Sequence, residues 1–238
     1  MSENNTEYQL KNQEFYAERK LLTEKYKTYE PEDIPAIKVG WQSRSNQYLG
    51  FEVATTFDGI DWQEINSVLD IGCGYGNLVE YLRQEKNFQG EYTGIELLPE
   101  FWEEAKRLYG NDSRNKFILG DFITHEWNQQ KFDIVISLGT ISINLDYPNE
   151  YGEKSTSYAN ESISLMIKLT KIAMSLYFVN SAHVPILERY INLNLACYSP
   201  EEIQEMIEKN SGKEYKSLNI VSYPEENNVK TIAKLRLV

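Results

Sequence analysis

Between Val68 and Asn77 the chain reads V-L-D-I-G-C-G-Y-G-N. An apolar run ends in one acid, Asp70. Glycine then takes every second position, at Gly72, Gly74 and Gly76, with Cys73 between the first two. Glycine admits positive φ and lets a ligand approach backbone N–H groups with no Cβ in the way, so this spacing is that of a binding loop. The dinucleotide fingerprint G-x-G-x-x-G needs a third glycine where this chain has Asn77, which disfavours a nicotinamide oxidoreductase. Two histidines could move protons. His125, in T-H-E-W, reads as a surface-loop residue. His183, in F-V-N-S-A-H, follows an apolar run, and its ordinary pKa suits proton removal near neutrality.

These residues can meet only if strands carry them to one edge. Residues 68–71 read as a short buried strand, and residues 77–84 as a helix with Leu78, Val79, Tyr81 and Leu82 on one side. Further strands are expected over 92–96, 116–119, 132–137 and 173–179. Helices opening at Pro99 and spanning 157–171 lie between them, and Ser199-Pro200-Glu201-Glu202 starts another as a capping box. The alternation predicts a parallel sheet covered on both faces. Residues 216–223 and 229–238 have only P-E-E-N-N between them and predict a terminal antiparallel hairpin. In such a sheet, ligands bind beyond the carboxyl ends of the strands, where Asp70 to Gly76 falls.

Upstream, residues 7–29 carry Tyr8, Phe15, Leu22, Tyr26 and Tyr29 at helical spacing, with Pro31 and Pro35 expected to end the helix. A second helical stretch is expected near residues 45–57, although Gly50 interrupts it. The division expected is an N-terminal helical cap over residues 1–60 and one catalytic domain over 61–238. The segment 140–157 is long for a strand–helix connection, as lids and binding loops are. Its Asn144, Tyr147 and Tyr151, with Tyr158 from the next helix and Asn180 after the fifth strand, are candidate substrate contacts. The cap, which holds Trp41, is expected to form the opposite wall.

The 238 residues carry a net charge of −12, with 41% hydrophobic content and 17 tyrosines. That charge argues against nucleic acid as the main partner, because such binding rests on Lys and Arg neutralising phosphates. No apolar run reaches the length of a membrane span and no signal peptide is read at the N-terminus. Two cysteines, Cys73 and Cys197, give neither a disulfide framework nor a thiolate metal site, so a cytoplasmic location is the expectation.

The stretch from Val68 to Asn77 resembles the first motif of the class I S-adenosylmethionine-dependent methyltransferases, an apolar strand followed by D-x-G-C-G-x-G. The resemblance implies a Rossmann-like, doubly wound, mostly parallel seven-stranded sheet. It also implies S-adenosylmethionine as methyl donor, with S-adenosylhomocysteine as product. This donor has no pyrophosphate; its amino-acid tail carries a carboxylate, which a loop of bare N–H groups can receive, and an ammonium, which Asp70 would help to hold. In the family an acid at the end of the second strand meets the ribose diol, here Glu96, twenty residues after Gly76, followed by Leu97. A carboxylate accepts well from two hydroxyls. An acid–aromatic pair after the third strand, here Asp121 and Phe122, meets the adenine. Ser137 ends the fourth strand, and the sequence Ser137-Leu138-Gly139-Thr140 differs from the N-P-P-Y-like segments of adenine and glutamine methyltransferases.

Residues 40–48 also resemble a poorly characterised branch of this superfamily, in which an arginine is expected before Phe51. Gly50 stands there, leaving Arg44 or another group to meet the donor's carboxylate. The expected function is methyl transfer to an O or N nucleophile of a small molecule, with His183 as candidate base and no metal. A peptide or protein acceptor, or a non-catalytic subunit of the same fold, are the alternatives.

Overall fold

The structure is a computed structural model that describes residues 29–142, 157–183, 196–212, 214–223 and 230–238, with Leu10, residues 13–14 and residues 16–17 from the N-terminal segment. Most of the helix expected over 7–29 lies outside these residues. Pro35 does not end a helix. It sits in the first turn of a short one, α1 (Ile34–Lys38), where a missing N–H costs nothing. Helix α2 (Arg44–Thr55) follows, one residue earlier than expected. Ser43 caps it by accepting from the Asn46 N–H at 3.1 Å.

Gly50 is tolerated inside α2 because the space beside it is already taken. A Cβ there would lie 2.6 Å from the Trp41 ring and 2.8 Å from the Tyr223 hydroxyl. The aromatic wall of the cap therefore needs a glycine, at a helix-propensity cost of about 1 kcal/mol.

From Ser67 onward strands and helices alternate: β1 (Ser67–Ile71), α3 (Asn77–Glu85), β2 (Glu91–Glu96), α4 (Pro99–Tyr109), β3 (Asn115–Leu119) and β4 (Phe132–Leu138). Then come α5 (Ser157–Leu169), β5 (Thr170–Asn180), β6 (Cys197–Tyr198), α6 (Pro200–Ser211), β7 (Ser217–Tyr223) and β8 (Lys230–Arg236). Strand β5 begins at Thr170, earlier than the sequence suggests, directly from the end of α5. The Thr170 hydroxyl bonds back to the Met166 carbonyl at 2.7 Å. The capping box is present, with Ser199 Oγ accepting from the Glu202 N–H and Glu202 accepting from the Ser199 N–H.

The sheet runs β3-β2-β1-β4-β5-β8-β7, with β8 antiparallel to both its neighbours. Among the described residues it has eight strands rather than seven. The extra one is the two-residue β6, which pairs parallel with the end of β5 at Val179 and Asn180. A two-residue strand leaves no alternation to read in the sequence.

Strands buried on both faces read as continuous apolar runs. Leu69, Ile71, Val135 and Met174 face Ile163 and Met166 of α5 and Ile203 and Ile207 of α6. Val68, Ile134 and Ile136 face Leu78 and Leu82 of α3 and Phe51 of α2. Strand β1 at the centre is thus clamped between layers, which fixes where its carboxyl end delivers the glycine loop. Among the described residues no helix is long and apolar enough to cross a membrane.

Candidate functional site

The order reverses at β1: the chain moves outward through β2 and β3, then returns to β4 on the other side. The carboxyl ends of these strands diverge there and open a cleft, the position expected for ligands in open α/β sheets. The cleft encloses about 980 Å³ counted to its open mouth. Its floor is Asp70 to Gly74, its β2–β3 side is Glu96, Leu97, Asp121 and Phe122, and its β4 side is Leu138, Gly139 and Thr140. Val39, Trp41, Gln47 and Phe51 close it from the cap, and Tyr158 from α5.

The loop geometry follows from its glycines. Gly72, Gly74 and Gly76 all have positive φ, 67°, 55° and 77°, which side chains with a Cβ rarely adopt. A Cβ on Gly72 would also strike the Thr140 methyl, and one on Gly74 would press on Val39 at 3.2 Å. Most of the loop's N–H groups are not bare. Gly72 and Cys73 both donate to the Ile95 carbonyl, at 2.9 and 3.2 Å, Gly76 donates to Cys73 at 2.8 Å, and Gly74 donates to Glu96 Oε2 at 2.8 Å. The expectation of a loop with free donors is corrected here: its curvature is held by spending them internally.

Glu96 is buried at the end of β2, and its second oxygen, Oε1, accepts from the Leu98 N–H at 2.9 Å. Burial pushes its carboxyl up, opposed by these backbone N–H groups. Each oxygen keeps a further lone pair for a ligand. Asp70 is likewise buried and accepts from the Tyr92 hydroxyl at 2.5 Å. Burial drives its carboxyl up to about 7; the Tyr92 bond opposes this and the nearby Glu96 charge adds to it. Burial also pushes the Cys73 thiol well up, so it is an inert packing group here: a Cβ on Gly94 would meet its sulfur at 2.8 Å. Asp121 accepts from the Ile123 N–H through Oδ1 at 2.8 Å.

The donor set fits a nucleoside with an amino-acid tail. Two carboxylates with lone pairs to spare line one side. The Asn77 side-chain carbonyl, at the cleft edge, is buried without a hydrogen-bond partner and waits for a donor. Of the residues expected at the site, Asp70, Gly72, Cys73, Gly74, Asn77, Glu96, Leu97, Asp121, Phe122 and Tyr158 line the cleft.

Several others do not. Gly76 is the N-cap of α3, packed against Tyr109 and Phe117. Ser137 is fully buried, its hydroxyl bonded to that of Thr140. Arg44 is turned away: its guanidinium bonds Tyr48 at 3.1 Å and pairs with Glu80 at 3.4 Å, on the outer side of α2. Asn180 is buried and accepts from the Ala182 N–H at 2.9 Å, capping the turn after β5. His183 ends that turn, Ser181–His183. Asn144, Tyr147 and Tyr151 lie outside the described residues. His125 stacks edge-on against Trp127 and does not line the cleft.

Sequence reasoning missed Gln47, Val39 and Thr140. For Gln47 a signal exists: it lies on the buried stripe Gln47, Gly50, Phe51, Ala54, Thr55 of α2, a long polar side chain among small and apolar residues.

The family described as a methyltransferase domain matches residues 68–151, from β1 through β4 and beyond. Over 60 residues the chain is 37% identical to the methyltransferase candidate Rv1506c of Mycobacterium tuberculosis, covering 25% of this chain and 36% of that protein. Over 82 residues it is 33% identical to the protein-lysine N-methyltransferase EFM4 of Saccharomyces cerevisiae, covering 32% and 34%. The matched stretch thus spans about a third of the length of either curated relative. The magnesium protoporphyrin IX methyltransferase of Synechocystis PCC 6803, solved with S-adenosylhomocysteine, superposes with a TM-score of 0.65 over 99% of this chain and 100% of that one, at 16% identity. With its glycine loop, its strand order and these matches, residues 68–151 carry a methyltransferase domain, and the chain shares the fold of the class I S-adenosylmethionine-dependent methyltransferases.

Proposed function

We propose that the chain transfers a methyl group from S-adenosylmethionine to an oxygen or nitrogen nucleophile of a small molecule. The observation that carries this reading is Glu96, a buried acid aimed by two backbone N–H groups into the same cleft as the glycine loop. Its remaining lone pairs suit a ribose diol. Asp121 and Phe122 suit an adenine, the first by accepting from the exocyclic amine and the second by packing on the ring. Asp70 supplies negative charge under the loop, where an ammonium would sit. The donor, when bound, supplies a methyl group activated by a sulfonium.

The acceptor side is walled by Trp41, Phe51, Leu138 and Tyr158. Such walls exclude water and align a nucleophile with the methyl, the largest contribution an enzyme makes to an in-line displacement. A covered cleft of this kind supports a small acceptor. His183, close after β5, is proposed as the group that takes a proton from a phenol or ammonium nucleophile; Asn144, Tyr147 and Tyr151 are proposed as acceptor contacts. Asn180 is proposed as an acceptor contact through its side-chain N–H groups, its oxygen already accepting from the Ala182 N–H.

The test is methyl transfer from donor labelled in the methyl group, offered to small phenols, amines and carboxylic acids. Label in a small product from the wild type, and none from Glu96→Ala, supports the reading. A protein acceptor is the second reading, favoured by the stretch shared with EFM4; label in a protein fraction alone would replace the first reading with it.

A further inference from the structure

The floor of the cleft presents a charge problem. Its charged lining residues among those described are Asp70, Glu96 and Asp121, all acids. The donor proposed above ends in a carboxylate, and Arg44, the cation expected to meet it, is held outside by Glu80. The N–H groups of Gly72, Cys73, Gly74 and Gly76 are also engaged. A carboxylate buried without donors is costly, and with four of the loop's N–H groups engaged a side-chain donor beside the loop is favoured.

The two ends of the cleft differ. Glu96, Asp121 and Phe122 lie at the ends of β2 and β3 and suit the nucleoside. The tail then extends over Asp70 and Gly72 toward β4. Helix α2 borders the cleft through Gln47 and Phe51, packing against β5 and β8 and on Tyr81 of α3. Val39, just before α2, lies directly above Gly74. Gln47 projects from α2 into the cleft, and it is only 4% exposed. Its side-chain amide makes no hydrogen bond with any described residue. The amide is not sealed in the core but opens on the cleft, where its N–H groups are available to a ligand.

We propose that the Gln47 side-chain amide donates to the carboxylate of the donor's amino-acid tail, in place of a cation. This rests on the donor reading above. A neutral amide suits this place: it gives a charge-assisted hydrogen bond without placing a cation where the donor's ammonium must also fit, above Asp70.

The test separates tail from nucleoside. Calorimetric affinities are measured for S-adenosylhomocysteine and for 5′-methylthioadenosine, which lacks the tail, on the wild type, Gln47→Leu and Gln47→Glu. Leucine keeps most of the volume and removes the amide. A hydrogen bond to a charged group corresponds to roughly a 10- to 100-fold change in affinity, and that loss is expected for S-adenosylhomocysteine in Gln47→Leu. Gln47→Glu loses more, through like-charge repulsion. Both variants bind 5′-methylthioadenosine as the wild type does, which also shows that they fold. Unchanged S-adenosylhomocysteine affinity in Gln47→Leu overturns the assignment, as does an equal loss for both ligands. A wild type that binds neither ligand overturns the donor reading itself.

Discussion

The Gly74 N–H donates to Glu96 Oε2 at 2.8 Å, across the gap between the glycine loop and the end of β2. One hydrogen bond therefore ties the residue proposed to hold the ribose to the loop over which the tail is proposed to run. The two halves of the site are not independent, and the acid is as much a brace of the loop as a ligand-binding group.

Replacing Glu96 by alanine consequently removes more than a ligand contact. Two buried N–H groups, of Gly74 and Leu98, lose their acceptor. Each unsatisfied donor costs about 1–3 kcal/mol. The variant is expected to melt several degrees below the wild type without ligand and to bind S-adenosylhomocysteine at least tenfold more weakly, on the order of one bond to a charged group. Thermal melts and calorimetry check both; an unchanged melting temperature would show that the brace contributes nothing.

Burial pushes the Asp70 carboxyl up to about 7. In the unfolded chain the same carboxyl titrates near 4, so between those values the native state holds a proton that the unfolded state has released. Stability without ligand should fall as pH rises through that window and level above it. Ligand affinity has the opposite slope: an ammonium favours the ionised carboxylate, so S-adenosylhomocysteine should bind more tightly as pH rises through about 7. Asp70→Asn keeps an acceptor for the Tyr92 hydroxyl and removes the charge. It should flatten both profiles, and a pH-dependent affinity surviving in that variant would move the effect to another group.

Gly50 offers a test of the cap. Within a helix, glycine to alanine ordinarily stabilises by about 1 kcal/mol. Here the added methyl meets the Trp41 ring at 2.6 Å, and overpacking costs about 1–3 kcal/mol. The second term wins, so Gly50→Ala should lower the melting temperature and, by displacing Trp41, weaken ligand binding. A raised melting temperature would mean that Trp41 moves aside freely.

Gly72→Ala tests the loop. The positive φ of 67° and the collision with the Thr140 methyl act together. The strained backbone conformation alone costs about 1–3 kcal/mol. Loss of S-adenosylhomocysteine binding with a lowered melting temperature is expected in paired binding and melting assays. Wild-type affinity would show that the loop can take another shape.

Much of this was legible in the sequence because the signals are local. The D-x-G-C-G-x-G spacing, the apolar strand before it and the acids Glu96 and Asp121 at strand ends locate the cleft floor without any tertiary knowledge. What failed was of another kind. Arg44 looked like a carboxylate partner by type, but its direction is set by Glu80, 36 residues away in the chain. Gln47 was not singled out, because its place in the cleft depends on how α2 packs over the sheet. The engaged N–H groups of the loop depend on the register of β1 against β2, which places the Ile95 carbonyl beside Gly72 and Cys73. Side-chain direction and strand register are settled by packing between elements, and a linear pattern does not encode them.

The central claim is that this cleft holds S-adenosylmethionine, and the direct measurement is a melt of the wild-type chain titrated with S-adenosylhomocysteine, with NAD as control. A ligand that binds only the folded state stabilises it by about 2.7 kcal/mol at a hundred times its Kd. The account predicts a melting temperature that climbs with S-adenosylhomocysteine and stays flat with NAD. A flat response to S-adenosylhomocysteine, or a rise with NAD instead, would contradict it.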